Sequence, residues 1–184
     1  MRVVLKLLLA AAFAVAVAAC AGTATRVGTS GISEFYSPSL ASYVSRNGTF
    51  PMEVHGNPFG VPQAQSDAAI RGARAIPAWA GTGNFVAHSE PGRGLRLVLV
   101  FGPTDAAVGS RRVCSDAGEI ATARSETQTH VFAAFCRNNE WITYASIRVP
   151  ALKGPDDPAL NDLMGQVMLN VLPFIVRRQI VSGL

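Results

Sequence analysis

Two short acid–histidine pairs are the residues of this chain best suited to chemistry. Glu53 and His55 are separated by one residue, and so are His88 and Glu90. On an extended backbone, residues two apart point to the same side, so each pair would present a carboxylate and an imidazole together. That arrangement suits a general base with its orienting acid or two ligands of a metal ion. Glu53, His55 and His88 are therefore the candidate ligand residues.

The alternative for the first pair is structural. Glu53 and His55 lie in a segment, 50–60, that is rich in turn-forming residues. In a structured loop, His55 would bond to the backbone while Phe50 and Phe59 fill the core. The same alternative holds for His88, which precedes a proline by three residues.

The chain lacks a recognisable catalytic set. It contains no GxSxG, HExxH, SxxK or CxxC motif and no phosphate-binding glycine loop. His130 falls on a predicted strand, where a histidine is typically hydrogen-bonded at the sheet margin. The three histidines could converge on zinc only through the fold, because nothing in their spacing requires it. The sequence favours a protein that is not an enzyme, with no cofactor and no bound metal.

The first nineteen residues have the composition of an export signal. Arg2 and Lys6 begin it, and residues 7–19 form an apolar run of 13 residues without a charged side chain. A membrane-spanning helix needs roughly 20 residues. A basic start, a short apolar run and small residues at its end indicate a signal that is removed.

The end of this signal, Val17-Ala18-Ala19-Cys20, resembles the lipobox of bacterial lipoprotein precursors. The resemblance implies that the Cys20 sulfur carries a diacylglyceryl group, that the chain is cut before Cys20 and that the new amine is acylated. Such acyl chains would anchor the protein stably in a membrane. Because Ala21 and not aspartate follows Cys20, the resemblance implies sorting to the outer membrane, facing the periplasm. The alternative is an ordinary secretory signal with Cys20 incidental.

With Cys20 assigned to lipid, Cys114 and Cys136 remain. An exported domain lies in an oxidising compartment, where two remaining cysteines usually pair. We therefore predict a disulfide between Cys114 and Cys136. The alternatives are a pair of metal ligands or two buried thiols.

Removal of the signal also changes the charge balance. Arg2 and Lys6 are lost with it, so 16 basic residues fall to 14 against 12 acidic ones, and the net charge falls from +4 to +2. No basic run remains that would mark a nucleic-acid-binding surface. The predicted partners are the membrane, through the lipid anchor, and an envelope protein or glycan. The arginine pairs at 111–112 and 177–178 could contact phosphate-bearing lipid or anionic glycan, although such pairs are more often solvated surface.

We expect a signal peptide at 1–19, a lipidated flexible tether at 20–30 and one α+β domain at 31–184. The predicted centre of the domain is a hairpin over 129–149, which is rich in β-branched and aromatic residues and turns at an asparagine pair. In its predicted register, Cys136 opposes Trp141 and Phe132 opposes Ala145. Around this hairpin the sequence predicts an antiparallel meander of four or five strands.

About three helices are expected to cover the sheet, at 39–46, 65–75 and 158–172. The last follows an Asp-Pro start and carries apolar residues at helical spacing, which marks an amphipathic C-terminal helix. The apolar tail at 174–181 would pack on the core or form a partner-binding strip. Residues 47–63 are expected to be a loop because they are rich in proline, glycine and asparagine.

These patterns predict an outer-membrane-anchored periplasmic lipoprotein, a non-enzymatic binding or assembly module of the cell envelope. One alternative is a cell-envelope hydrolase that uses His55 or His88 with a nearby carboxylate. Another is a carrier of an apolar ligand, with a pocket between the sheet and the C-terminal helix. Two histidines and a carboxylate in one cleft would favour the hydrolase, and a sizeable cavity under that helix would favour the carrier.

Overall fold

The computed structural model of the protein describes residues 25–73, 75–81, 83–105 and 108–174. The signal peptide, Cys20 and the arginine pair at 177–178 lie outside the described residues. The strands are β1 (Arg26–Ile32), β2 (Thr49–His55), β3 (Asn84–Ala87), β4 (Leu95–Phe101), β5 (Gln128–Arg137) and β6 (Glu140–Pro150). The helices are α1 (Pro38–Ser45), α2 (Gln63–Gly72), α3 (Ser110–Ser115) and α4 (Ala159–Val171). The described chain is therefore α+β, as predicted.

The strands form one mixed sheet of six in the order β1-β6-β5-β4-β2-β3. In the series β1, β6, β5 and β4 each strand runs antiparallel to its neighbour, whereas β2 pairs in parallel with both β4 and β3. The prediction of an antiparallel sheet of four or five strands is wrong in this respect. The chain passes from β2 to β3 through α2, and such a crossover, unlike a tight hairpin, joins parallel strands.

The strand β2 lies where the sequence predicts a loop. Its side chains Phe50 and Met52 are almost completely buried, and this burial stabilises an extended segment that its turn-forming residues would not favour. Pro51 is tolerated because β4 pairs with β2 only from Met52 onward. The missing N–H of the proline therefore costs no ladder bond on that side.

The β5–β6 hairpin forms over the predicted range with a shifted register. Cys136 opposes Trp141 as predicted, but a bulge immediately before Cys136 moves the rest of the ladder by one residue. Phe132 consequently opposes Ser146, and the predicted partner Ala145 lies in the core on the opposite face. A slip of one residue turns every side chain to the other face of a strand.

The strand β1 includes residues 26–30, which the sequence assigns to the tether. It pairs with β6 through backbone hydrogen bonds, which form whatever the side chains are. Gly31 lies opposite Tyr144, whose ring occupies the place that a Cβ atom at position 31 would take. The small residues that resemble a tether allow an edge strand to pass close to an aromatic ring.

The sheet is covered on both faces. Helices α1, α2 and α4 cover one side, here called the helical face, and α3 covers the other, here called the α3 face. The apolar stripe of α4 packs into the core of the helical face, which fills the place where a carrier would need its pocket. The buried residues of this stripe are Leu160, Leu163, Met164, Val167, Met168 and Val171. None of the described helices is long and apolar enough to cross a membrane.

Ser66 on α2 has a buried hydroxyl without a hydrogen-bond partner among the described residues. Leaving a buried polar group unpaired costs roughly 1–3 kcal/mol, and alanine is the better helix former. We expect Ser66→Ala to raise the free energy of unfolding by about 1 kcal/mol, measured by urea unfolding.

Ser45→Ala is the matched control for this prediction. The Ser45 hydroxyl is also buried, but it donates to the carbonyl of Ala41 at 3.1 Å. Its removal should therefore lower the free energy of unfolding. A loss of stability in both variants would contradict the interpretation of Ser66.

Candidate functional site

The acid–histidine pair on β2 points to the α3 face of the sheet. The His55 ring donates from Nε2 to Oε2 of Glu53 at 3.4 Å. The side chain of Glu53 is 9 % exposed and that of His55 is 27 % exposed. The structure therefore brings these two candidate residues together, and His55 is the member that reaches solvent.

A buried arginine, which sequence reasoning missed, holds Glu53 in place. Arg96 on β4 is 1 % exposed, and its Nε donates to Oε1 of Glu53. Its Nη2 donates to the carbonyl of Cys114 at 2.7 Å, and its Nη1 donates to the carbonyl of Asn138 at 2.8 Å. One guanidinium thus joins β2, the end of α3 and the β5–β6 turn. The available signal was an arginine inside the apolar run 95–101, because buried arginine is almost always paired.

The environment keeps Glu53 ionised. Burial raises the pKa of Glu53, but the hydrogen bond from His55 and the charge and hydrogen bond of Arg96 outweigh it, so the pKa lies below its ordinary value. The N–H of Gly92 also donates to Oε1 at 3.3 Å. Oε1 is shared by Arg96 and Gly92, and Oε2 is taken by His55. A carboxylate held in this way orders its neighbours but is a poor proton acceptor.

The sulfurs of Cys114 and Cys136 form a disulfide on the α3 face, and the two Cα atoms are 5.7 Å apart. Both residues are buried. Cys136 lies directly opposite Arg96 in the β4–β5 ladder, so the disulfide and the guanidinium hold the same short helix. A helix of 6 residues is too short to be stable by itself. These two attachments therefore explain why α3 forms in a stretch that carries no clear helical pattern.

The third candidate residue, His88, lies apart from this cluster. Its Nε2 donates to the carbonyl of Arg93 at 2.8 Å, within the loop that follows β3. This loop reaches Glu53 through the backbone N–H of Gly92 and not through His88. The structure therefore joins Glu53 with His55 and leaves His88 outside.

His130 has a third environment, beside a cleft of about 190 Å³ near the carboxyl ends of β2 and β4. Its Nε2 lies 2.8 Å from the hydroxyl of Ser146. Burial, and then the charge of Arg148, lower the pKa of His130 to about 4, so the ring is neutral near pH 7. The three histidines have separate partners, and no group of three His, Cys, Asp or Glu in the described ranges could hold a metal ion.

The lowered pKa of His130 predicts a loss of stability in mild acid. The folded chain binds the proton with a pKa of about 4, whereas the ordinary value is 6.5, so the unfolded state binds more protons between these values. The contribution of neutral His130 is complete above pH 6.5 and is lost as the pH falls towards 4. We expect His130→Asn to flatten the decline of the unfolding free energy over this range, measured by urea unfolding at a series of pH values.

An NMR titration of the His130 ring supplies the control. Arg148→Gln removes the nearby positive charge and should raise the pKa of His130. An imidazole that titrates near 6.5 in the folded wild-type protein would contradict the prediction.

We compared the chain with protein-family models, with curated proteins and with solved structures, and none of these comparisons gives a match. The function is therefore inferred from the residues and the geometry. Those residues form one largely buried cluster, in which Glu53, Arg96 and the disulfide attach α3 and two loops to the sheet and His55 bonds to Glu53.

Proposed function

We propose that the mature protein is an outer-membrane lipoprotein, anchored through Cys20 and facing the periplasm, whose domain is a binding or assembly module of the cell envelope. The observation that carries this proposal is the buried disulfide between Cys114 and Cys136. Disulfides persist in oxidising compartments and are rare in the cytosol. The disulfide therefore supports export, and the lipobox-like residues at Cys20 supply the route and the anchor.

The buried cluster supports a binding role over a catalytic one. A histidine that acts as the general base of a hydrolase must lie within hydrogen-bond reach of the group it activates. Among the described residues, the side chain bonded to His55 is Glu53 and not a serine, threonine or cysteine, and both oxygens of Glu53 are occupied, by Arg96 and Gly92 on one side and by His55 on the other. The groups with catalytic chemistry thus serve to hold a rigid domain that can present its surface.

Metabolic labelling with an alkyne-bearing palmitate tests the anchor. In a Gram-negative host, the wild-type chain should take up the label and fractionate with the outer membrane, and Cys20→Ser should take up none. The double variant Cys114→Ser/Cys136→Ser is the matched cysteine control and should still be labelled. An unlabelled wild-type chain, or label in Cys20→Ser, would overturn the proposed anchor.

The non-enzymatic part is tested separately with purified envelope glycan and phospholipid. The wild-type protein should release no soluble fragments from either material. If the wild-type protein releases soluble fragments, and this release is abolished by His55→Ala but retained in His88→Ala, the protein is a hydrolase and not a non-enzymatic module.

A further inference from the structure

Four aromatic residues, of which three are exposed and one is partly buried, lie near one another at one corner of the helical face. We call this group the aromatic corner, and its members are Phe35, Tyr43, Trp79 and Phe174. The rings of Trp79 and Phe174 are 5.6 Å apart. The hydroxyl of Tyr36, next to Phe35, donates to the carbonyl of Pro173, next to Phe174, at 2.8 Å. The hydroxyl of Ser42, next to Tyr43, donates to the carbonyl of Trp79 at 3.2 Å.

Three members of the aromatic corner are exposed to an extent that the fold does not require, whereas Trp79 is partly buried against the core. Phe35 is 68 % exposed, Phe174 is 62 % exposed and Tyr43 is 55 % exposed. Single exposed apolar residues are ordinary, but a contiguous group marks an interaction surface. Tryptophan, tyrosine and phenylalanine are also the side chains that favour the interface between lipid and water.

The margin of the aromatic corner is polar, as a headgroup region would need. The guanidinium carbon of Arg46 lies 4.3 Å from the ring centroid of Tyr43, and Glu34 is exposed beside Phe35. In the sequence, Phe174 is followed by Ile-Val-Arg-Arg. Apolar residues combined with arginines are typical of segments that bind anionic lipid.

The strand β1 lies in the sequence between the proposed anchor at Cys20 and Phe35 of the aromatic corner. Only residues 21–25 separate Cys20 from the start of β1, so the extended chain reaches about 20 Å. The strand itself spans about 20 Å and leads towards Phe35. Val27 and Ile32 on this edge strand are 43 % and 45 % exposed. Exposed apolar side chains thus follow the edge from the anchor to the aromatic corner.

We infer that the aromatic corner and the β1 edge rest on the phospholipid bilayer, so that the lipidated domain lies side-on against the membrane. This inference rests on the proposed anchor at Cys20, which brings the edge within reach of lipid. A second copy of the chain is the competing occupant and is an outcome of the test.

The two tryptophans of the chain give a direct test. Trp79 belongs to the aromatic corner, whereas Trp141 packs against Tyr144 on the α3 face, with ring centroids 5.1 Å apart. The variants Trp141→Phe and Trp79→Phe each leave one tryptophan to observe. Binding of the lipidated protein to vesicles of phosphatidylethanolamine and phosphatidylglycerol should shift the emission of Trp79 to shorter wavelength. Spin-labelled lipid in the same vesicles should quench Trp79 and leave Trp141 unquenched. An unquenched Trp79 in vesicle-bound protein would overturn the inference.

The mature chain with Cys20→Ser separates this inference from the proposed function, because it lacks the lipid. Phe35→Ser and Phe174→Ser should each weaken its partition into the same vesicles about tenfold, from the transfer free energy of a phenylalanine side chain. Val86→Ser is the control, since Val86 is 36 % exposed on β3 at the opposite edge of the sheet, and it should have no effect.

Failure of the proposed anchor and failure of the inference about the aromatic corner give different results. If the wild-type chain is not lipidated in cells, the proposed anchor fails, and the vesicle comparison still decides the aromatic corner. Partition that is unchanged in Phe35→Ser and Phe174→Ser would overturn the inference. Self-association of the wild-type chain in solution that both variants abolish would assign the corner to a second copy instead.

Discussion

Arg96→Met should lower the free energy of unfolding by about 3–5 kcal/mol, because it leaves a buried carboxylate without its partner. Arg96 is 1 % exposed and Glu53 is 9 % exposed, so water cannot replace the lost ion pair. The carbonyls of Cys114 and Asn138 lose their donors as well. Urea unfolding at neutral pH measures the change.

Arg111→Met is the matched control for this substitution. Arg111 and Glu140 are separated by 3.9 Å but are 77 % and 68 % exposed, so their pair contributes at most about 1 kcal/mol. The double variant Glu53→Gln/Arg96→Met should lose less stability than the sum of the two single variants, because residues in contact are coupled. If Arg96→Met lowered the free energy of unfolding no more than Arg111→Met does, the buried pair would not stabilise the fold.

Loss of the disulfide should have the second largest effect. The double variant Cys114→Ala/Cys136→Ala releases a loop with a sequence separation of 22 residues, and the unfolded chain then gains entropy equivalent to about 3 kcal/mol. Urea unfolding should report this loss, and hydrogen exchange should accelerate at the amides of α3, which the disulfide attaches to the sheet.

Reduction of the wild-type protein is the control for this variant. A reducing agent should lower the stability of the wild type to that of the double variant and should leave the double variant unchanged. A double variant as stable as the oxidised wild type would show that Arg96 alone holds α3.

The parts of the fold with strong local patterns were predictable. The apolar stripe of α4 repeats at helical spacing, and the two strands of the 129–149 hairpin are rich in residues that favour strands. The helices at 38–45 and 63–72 also lie close to their predicted positions. In these segments the local preference and the final environment agree.

The remaining features depend on contacts between distant residues. The segment at Pro51 has the composition of a loop, and it becomes a strand because Phe50 and Met52 enter the core. The partners of Arg96 could not be derived from its strand, because they lie on the β5–β6 turn and at the end of α3, far away in the sequence. The bulge before Cys136 also has no local sequence signal, so the register of the hairpin could not be derived in full.

The sheet order has a consequence for the sequence of folding events. The strand nearest the N-terminus, β1, pairs only with β6, and Arg26 lies opposite Arg148. Pairing between strands so far apart in the sequence is slow, because the chain loses the entropy of closing a large loop before the strand contacts form and offset that loss. A chain that emerges with its N-terminus first must therefore keep β1 unpaired until β6, the last strand of the described sheet, has appeared.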